Sequence, residues 1–190
     1  MNGLQIFNNT LMTGITNPTT ANNISIYWAY NCNLTGTLDI TPITGNILDF
    51  SVYSNSLLTA ITFQTTGAIT NTFRANSCGL DITFPLGTKI FCNEAVNGIR
   101  IQNNGMSVAN VDATIDNLYT NRAAFNNTVN KLLDISGTNG AVTGTYQAPV
   151  DYVQGGTDGT PASQKEKIYV LKNQTTAGVL KYKWINIFYN

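Results

Sequence analysis

The sequence predicts a β-rich solenoid, and three observations carry that prediction. The stretch VNGIRIQNNGM (96–106) reads apolar, x, x, apolar, x, apolar, x, x, Asn, x, apolar, and MNGLQIFNNTL (1–11) is a near copy of it. The same wording returns as Ile47, Phe50, Val52, Asn55, Leu57 and, at the end of the chain, as Tyr182, Ile185, Ile187, Asn190. The Asn that closes each copy recurs at positions 9, 31, 55, 76, 104, 139 and 190, with first intervals of 22, 24, 21 and 28 residues. A period in that range marks stacked coils, each too small to bury its own apolar side.

The wording has a physical cause. Two apolar residues one apart, such as Ile99 and Ile101, point to the same face of a strand. The Asn then turns the chain, and its carboxamide can bond main-chain groups that the turn leaves open. The next apolar residue, Met106, re-enters the core. A repeat of this form is of leucine-rich-repeat type.

Taken in order, the full copies are Met1, Leu4, Ile6, Asn9, Leu11; Ile47 to Leu57; Val96, Ile99, Ile101, Asn104, Met106; and Tyr182 to Asn190. Weaker copies lie between them: Ile26, Trp28, Asn31, and Phe73, Asn76, Cys78, the latter with Asn71 at a core position. LLDISGTN supplies Leu133, Ile135 and Asn139 with one extra residue. In the N-terminal half the return paths read as short second strands, Leu34–Thr41, Leu57–Phe63 and Leu80–Phe84, rich in Thr and Ile. After Asn104 they read as helices. Ser107 is the expected N-cap of the first, with Val108, Val111, Ile115 and Leu118 as its buried stripe up to about Arg122. The second is expected to start at Thr160 (N-cap) and Pro161, with Ile168 and Leu171 inward. The Gly/Pro-rich run 137–161 between them is expected to be irregular. The whole is read as a single repeat domain, 1–190, with mainly β–β coils over 1–106 and β–α coils with two helices over 107–190.

The segments SVANVDATIDNLYTNRAAF, LDISGTNGAVTGTY and DGTPASQKEKIYVL resemble the short leucine-rich-repeat-like modules of Bacteroidota surface proteins and of structural proteins of their phages. The resemblance covers about Leu34 to the C-terminus. It implies a binding or structural element rather than an enzyme, with no catalytic residues to carry over.

Composition narrows the chemistry. Ten basic and ten acidic residues give zero formal net charge, and only 11% of residues are charged. A nucleic-acid footprint would need a basic surplus, so no nucleic-acid partner is expected. There is no histidine, the commonest general acid–base. Cys32, Cys78 and Cys92 are odd in number and lack CxxC spacing, so they read as buried free thiols rather than a disulfide framework or a zinc site. Asp112 and Asp116 lie one helical turn apart but read as solvated helix acids, and Asp39 and Asp81 as outward strand residues. GGTDG (155–159) follows no strand of a nucleotide fold. No cofactor or metal is expected. No apolar run reaches the ~18 residues of a membrane span, and MNGLQIFNNTLMTG has neither the basic nor the apolar region of a secretory signal.

The interaction surface is expected on the strand face opposite the core, at Gln5, Tyr27, Ser51, Tyr53, Arg74, Arg100, Gln102 and Asn186. Tyr and Arg there favour binding, so Tyr27, Tyr53, Arg74, Arg100 and Gln102 are the candidate partner-binding residues. With the resemblance, this reads as a phage virion protein made in the host cytoplasm: a surface-exposed decoration, spike or fibre-associated subunit with a host-binding face for a glycan or protein. The alternative is a bacterial cell-surface adhesin or ligand-binding repeat module. The outermost coils, with Phe7, Trp184 and Phe188 at apolar edges, are expected to contact other virion proteins or further copies of the chain.

Overall fold

The computed structural model describes residues 3–91 and 98–190. Its elements in chain order are β1 (Gly3–Gln5), β2 (Ile24–Trp28), β3 (Thr35–Asp39), β4 (Ile47–Ser51), β5 (Leu57–Thr62), β6 (Ile69–Arg74), β7 (Ile99–Arg100), α1 (Val108–Thr120), β8 (Lys131–Asp134), α2 (Gln164–Asn173), β9 (Thr175–Thr176), β10 (Val179–Leu180) and β11 (Trp184–Phe188). Among the described residues, β1, β2, β4, β6, β7, β8 and β11 form one seven-stranded sheet in that order. Every pairing in it is parallel. The chain is therefore a β-solenoid: each coil adds one strand and returns behind the sheet. Met1, Cys92 and Val96, assigned above to repeats or thiols, lie outside the described residues.

Strand pairing places equivalent residues in rows. Leu4, Tyr27, Phe50, Phe73, Ile99, Leu133 and Ile187 form the first inward row. From Tyr27 onward this row is buried. Its rings stack, Tyr27 on Phe50 at 5.1 Å and Phe50 on Phe73 at 5.4 Å. Two residues later, Ala29, Val52, Ala75, Ile101 and Ile135 form a second inward row, also buried. Small residues there alternate with the bulky first row and let the return path close on the sheet.

The turn that follows carries the row Asn9, Cys32, Asn55, Cys78, Asn104, Asn139. Each Asn within the stack bonds two coils. Asn55 donates to Ala29 O and Val52 O at 2.8 Å and accepts the N–H groups of Cys32 and Leu34 at 3.2 Å. Asn104 donates to Ala75 O and Ile101 O, and Asn139 to Ile101 O and Ile135 O. The two cysteines donate instead through sulfur, Cys78 Sγ to Val52 O at 3.3 Å and Cys32 Sγ to Tyr30 O at 3.4 Å. One residue before this row, Asn8, Asn31, Ser54, Ser77 and Asn103 hold φ between 52° and 58°. This left-handed conformation costs non-glycine residues free energy.

Here the structure corrects the sequence register. Asn31 and Asn76 are not the inward anchors of their coils; Cys32 and Cys78 are, and the row is spaced 23, 23, 23, 26 and 35 residues apart. The second coil is thus shifted by one residue, which exchanges its faces. Tyr27 is buried and Trp28 points out, the reverse of the expectation. The fourth coil is shifted by two, so Asn71 is half-buried and donates to Asp49 Oδ1 at 3.1 Å. In the last coil a bulge between Trp184 and Asn186 puts Trp184 and Ile187 inside and leaves Ile185 outside. Trp184 is therefore not an exposed edge residue. Leu11 is exposed, and Leu58 takes the core place expected of Leu57.

Behind the sheet, β3 and β5 pair in parallel as expected second strands. Residues 80–84 form no strand, because the neighbour there is α1: Phe84 N–H donates to Thr114 Oγ1 at 3.1 Å and Asn117 donates to Phe84 O at 3.0 Å. The helix starts after Ser107, whose hydroxyl accepts the Asn110 N–H, and buries Val111, Thr114, Ile115 and Leu118 but not Val108. Helix α2 starts later than expected. Thr160 is held in a bridge to Val150, and Ser163 caps the helix with Glu166 reaching back to the Ala162 N–H at 2.6 Å. Ile168 and Leu171 are buried as expected, with Val170. Asp112 and Asp116 are not free solvated acids: Asp112 accepts from Thr143 N and Oγ1, and Asp116 pairs with Lys167 of α2. The run 137–161 is irregular apart from that bridge. Asp158 in it gathers Arg122, Lys181 and Tyr182. Among the described residues no helix is long and apolar enough to cross a membrane.

Candidate functional site

Alternation along each strand turns a second set of rows outward. One contains Gln5, Trp28, Ser51, Arg74, Arg100, Asp134 and Phe188, by the same pairings. The other, two residues further along each coil, contains Phe7, Tyr30, Tyr53, Asn76, Gln102 and Ser136. The main chain of this second row is fixed by ladder bonds between coils. Tyr53 O accepts from Asn31 N, Asn76 O from Ser54 N and Gln102 O from Ser77 N, each at 3.0 Å. The side chains therefore project from a rigid grid with a spacing of about 4.8 Å.

The second row begins as an aromatic ladder. Phe7 stacks on Tyr30 at 5.1 Å with planes 4° apart, and Tyr30 on Tyr53 at 4.5 Å and 10°. Trp28 leans on Tyr30 at 6.3 Å. At Asn76 the ladder stops. The open side of Tyr53 then forms one wall of a shallow recess of about 260 Å³ lined by Tyr53, Arg74, Asn76, Arg100 and Gln102.

Four of the five candidate partner-binding residues, Tyr53, Arg74, Arg100 and Gln102, come together in this recess. Tyr27 does not: it is fully buried, its hydroxyl donates to Asn17 Oδ1 at 3.1 Å, and burial pushes its phenol up to about 12 against the lowering effect of that bond. Of the other outward positions, Gln5 and Asn186 are exposed at the far sides of the sheet and Ser51 is covered. Sequence reasoning missed Asn76, which was assigned to a turn, and the Phe7–Tyr30–Trp28 cluster. The signal for both was the alignment of Cys32 and Cys78 with the Asn row.

Two arginines line the recess. Arg74 and Arg100 are direct partners on adjacent strands, an arrangement in which like charges repel. Asp134 is next to Arg100 in the row, and its Oδ1 accepts the Ser136 N–H and hydroxyl at 3.2 and 2.7 Å. Arg74 Nε and Gln102 Oε1 are buried without a hydrogen-bond partner among the described residues. The Tyr53 phenol is raised, first by burial and then by the neighbouring Tyr30, with Arg74 pulling the other way. This set can stack a ring on Tyr53, bind an anion with guanidinium, and exchange hydrogen bonds through two carboxamides.

A second hollow, of about 210 Å³, opens at the β1 end of the core between Leu4, Ile15, Pro18, Ile24, Tyr27 and Ile43. It is mainly apolar, and no charged side chain lines it among the described residues. Among the described residues no three His, Cys, Asp or Glu side chains are grouped as metal ligands would be. No protein-family model, curated protein or solved structure matches this chain.

Proposed function

We propose that the chain is a recognition module of leucine-rich-repeat type, with β–β coils followed by β–α coils, that binds its partner on the outward face of the parallel sheet. The single observation that carries this reading is the convergence of Tyr53, Arg74, Asn76, Arg100 and Gln102 around one recess on a rigid grid. The repeat type is supported by the Asn/Cys row at the turns, which matches the N/C position of that repeat class. In this reading the protein is not an enzyme and needs no cofactor.

Its setting, on the resemblance described above, is the surface of a phage virion, as a decoration, spike or fibre-associated subunit that meets a host glycan or protein. Phe7, Leu11 and Phe188 are exposed at the outer coils, and β1 and β11 are the edge strands of the sheet. These are the surfaces through which it would join other virion proteins or further copies of itself. The same recognition face would serve a bacterial adhesin. Mass spectrometry of purified virions separates the two: the chain co-purifying with capsid proteins at stoichiometric levels supports the virion reading, and its recovery only from the host envelope fraction overturns it.

A further inference from the structure

Two residues of the buried anchor row are each followed by glycine, as Asn104–Gly105 and Asn139–Gly140. An Asn carboxamide in that setting is open to attack by the glycine nitrogen, because glycine has no Cβ to crowd the five-membered ring that forms. We infer that Asn104 and Asn139 are sites of self-deamidation that the closed stack blocks, so that opening of these coils becomes one-way once either residue has reacted.

The fold imposes both halves of each pair. Asn104 Nδ2 donates to Ala75 O and Ile101 O at 2.9 and 2.8 Å, and its Oδ1 accepts the Cys78 N–H at 2.8 Å. Asn139 Nδ2 donates to Ile101 O and Ile135 O at 2.9 and 3.1 Å, and its Oδ1 accepts the N–H groups of Asn104 and Met106 at 2.9 and 3.2 Å. A carboxamide supplies donor and acceptor together; a carboxylate does not. Gly105 holds φ at +70°, and a Cβ on Gly140 would lie 2.6 Å from Val108 N. The same contacts hold the reaction off. Gly105 N–H donates to Thr138 Oγ1 at 3.2 Å and Gly140 N–H to Met106 O at 2.7 Å, and both Asn residues are only 5% exposed. Ring closure requires the carboxamide to leave its partners and turn onto the following nitrogen, which happens only when the coils part.

In the opened chain, base takes the proton of the Gly105 N–H, the nitrogen bonds to Asn104 Cγ, and the Cγ–Nδ2 bond breaks with release of ammonia. One water then opens the imide at either carbonyl and leaves an aspartate or an isoaspartate. Asn139 and Gly140 react in the same way. At position 104 the new carboxylate would face the carbonyls of Ala75 and Ile101 as a buried charge with no proton to give them. Isoaspartate also lengthens the main chain by one atom and moves the next coil out of register. Either product keeps the coils from closing again, so the opened state drains irreversibly. Asn55 makes equivalent bonds but is followed by Ser56, and serves as the internal comparison.

This inference does not depend on what the outward face binds. The test holds the chain in mildly alkaline guanidinium chloride and, in parallel, in native buffer at the same pH. Peptide mapping by mass with isoaspartate detection follows each Asn, and far-ultraviolet dichroism after dilution gives the fraction that refolds. Refolded and unrefolded chains are mapped separately, because Asn2–Gly3 and Asn97–Gly98 also react in the unfolded chain. In denaturant, Asn104 and Asn139 should convert at least tenfold faster than Asn55, and chains converted at either should be absent from the refolded fraction. In native buffer neither should convert. Gly105→Ala, read in denaturant where folding is not needed, should slow conversion at Asn104 at least tenfold and leave Asn139 unchanged. Equal conversion in both solvents would overturn the protection by the stack. Equal conversion of Asn55, or no effect of Gly105→Ala, would overturn the role of the glycines. Converted chains that refold, or an Asn104→Asp chain that unfolds at the wild-type midpoint, would overturn the one-way step.

Discussion

The side-chain oxygen of Asn104 accepts the main-chain N–H of Cys78 at 2.8 Å, one coil away. Its nitrogen donates to the carbonyls of Ala75 and Ile101. One carboxamide thus closes main-chain groups on two turns, at a residue only 5% exposed. Asn104→Ala leaves buried groups without partners and should cost roughly 2–4 kcal/mol. Asn9→Ala, in the exposed turn of the first coil where the side chain accepts the Leu11 N–H, should cost under about 0.5 kcal/mol. Chemical denaturation of the two variants checks this; similar losses would show that the row does not hold the coils together.

Ile101 sits inside with no exposed surface, and Arg100 beside it points out. Ile101→Ala should destabilise by about 2–5 kcal/mol as a large-to-small core change, and Arg100→Ala by about 0.5 kcal/mol or less. Equal midpoints in a urea titration would contradict the strand alternation at β7.

Cys78 and Tyr27 make the fold sensitive to alkali. Burial pushes the Cys78 thiol up to about 11, against a lowering contact from Asn55, and the Tyr27 phenol up to about 12. Both groups are neutral in the folded chain where the unfolded chain would ionise. Their contribution is therefore complete below about pH 9, the ordinary thiol value, and is lost as pH rises through about 11 and 12. Urea midpoints should fall across that window, and less steeply in Tyr27→Phe. Native alkylation followed by intact mass should leave Cys78 unlabelled at neutral pH. Cys32 and Cys78 are two coils apart, roughly 10 Å, too far for a disulfide; a Cys32–Cys78 bridge found by mass would refute the row.

Asp158 ties the irregular run 137–161 to the rest. Burial raises its carboxyl, but hydrogen bonds from Tyr182, Lys181 and Arg122 outweigh this and hold it below the ordinary value. Its contribution is present above about pH 3.8 and is lost as pH falls through the lowered value. Asp158→Asn should cost about 1.5–3 kcal/mol and flatten the acid limb of stability below about pH 3.8; an unchanged acid limb would remove this carboxylate from the account.

Much of the fold was legible because the physical demand on each coil is local. Phe50, Val52 and Asn55, and Ile99, Ile101 and Asn104, satisfy the inward rows and the turn with the residue types the pattern names, and both coils were placed in register. Two of the coils that slipped are those in which Cys does the work of Asn; the last slips at the bulge between Trp184 and Asn186. A buried thiol bonds a carbonyl as a weak donor, so Cys32 and Cys78 fit the row. Nearby Asn31 and Asn76 instead drew the register to the wrong residue. That slip hid the aromatic ladder and turned Tyr27 outward on paper, although Arg74, Arg100, Gln102 and Tyr53 were still read as surface. The failed strand at 80–84 was not legible, because its main chain is satisfied by side chains of α1 (Thr114 and Asn117), a helix distant in sequence.

The column of left-handed residues from Asn8 to Asn103 divides the molecule into a regular front and an editable back. Each coil must present the same strand, the same bent residue and the same turn, or the stack loses its pitch. Additional length can enter only on the return side. That is where it is found: successive anchors are 23 residues apart in the early coils and 35 apart by Asn139, with the surplus spent on α1 and its flanks. Such a chain can acquire new material behind the sheet, including whole helices, while the spacing of Tyr53, Arg74 and Arg100 stays unchanged. Growth in size and constancy of the recess are thereby decoupled.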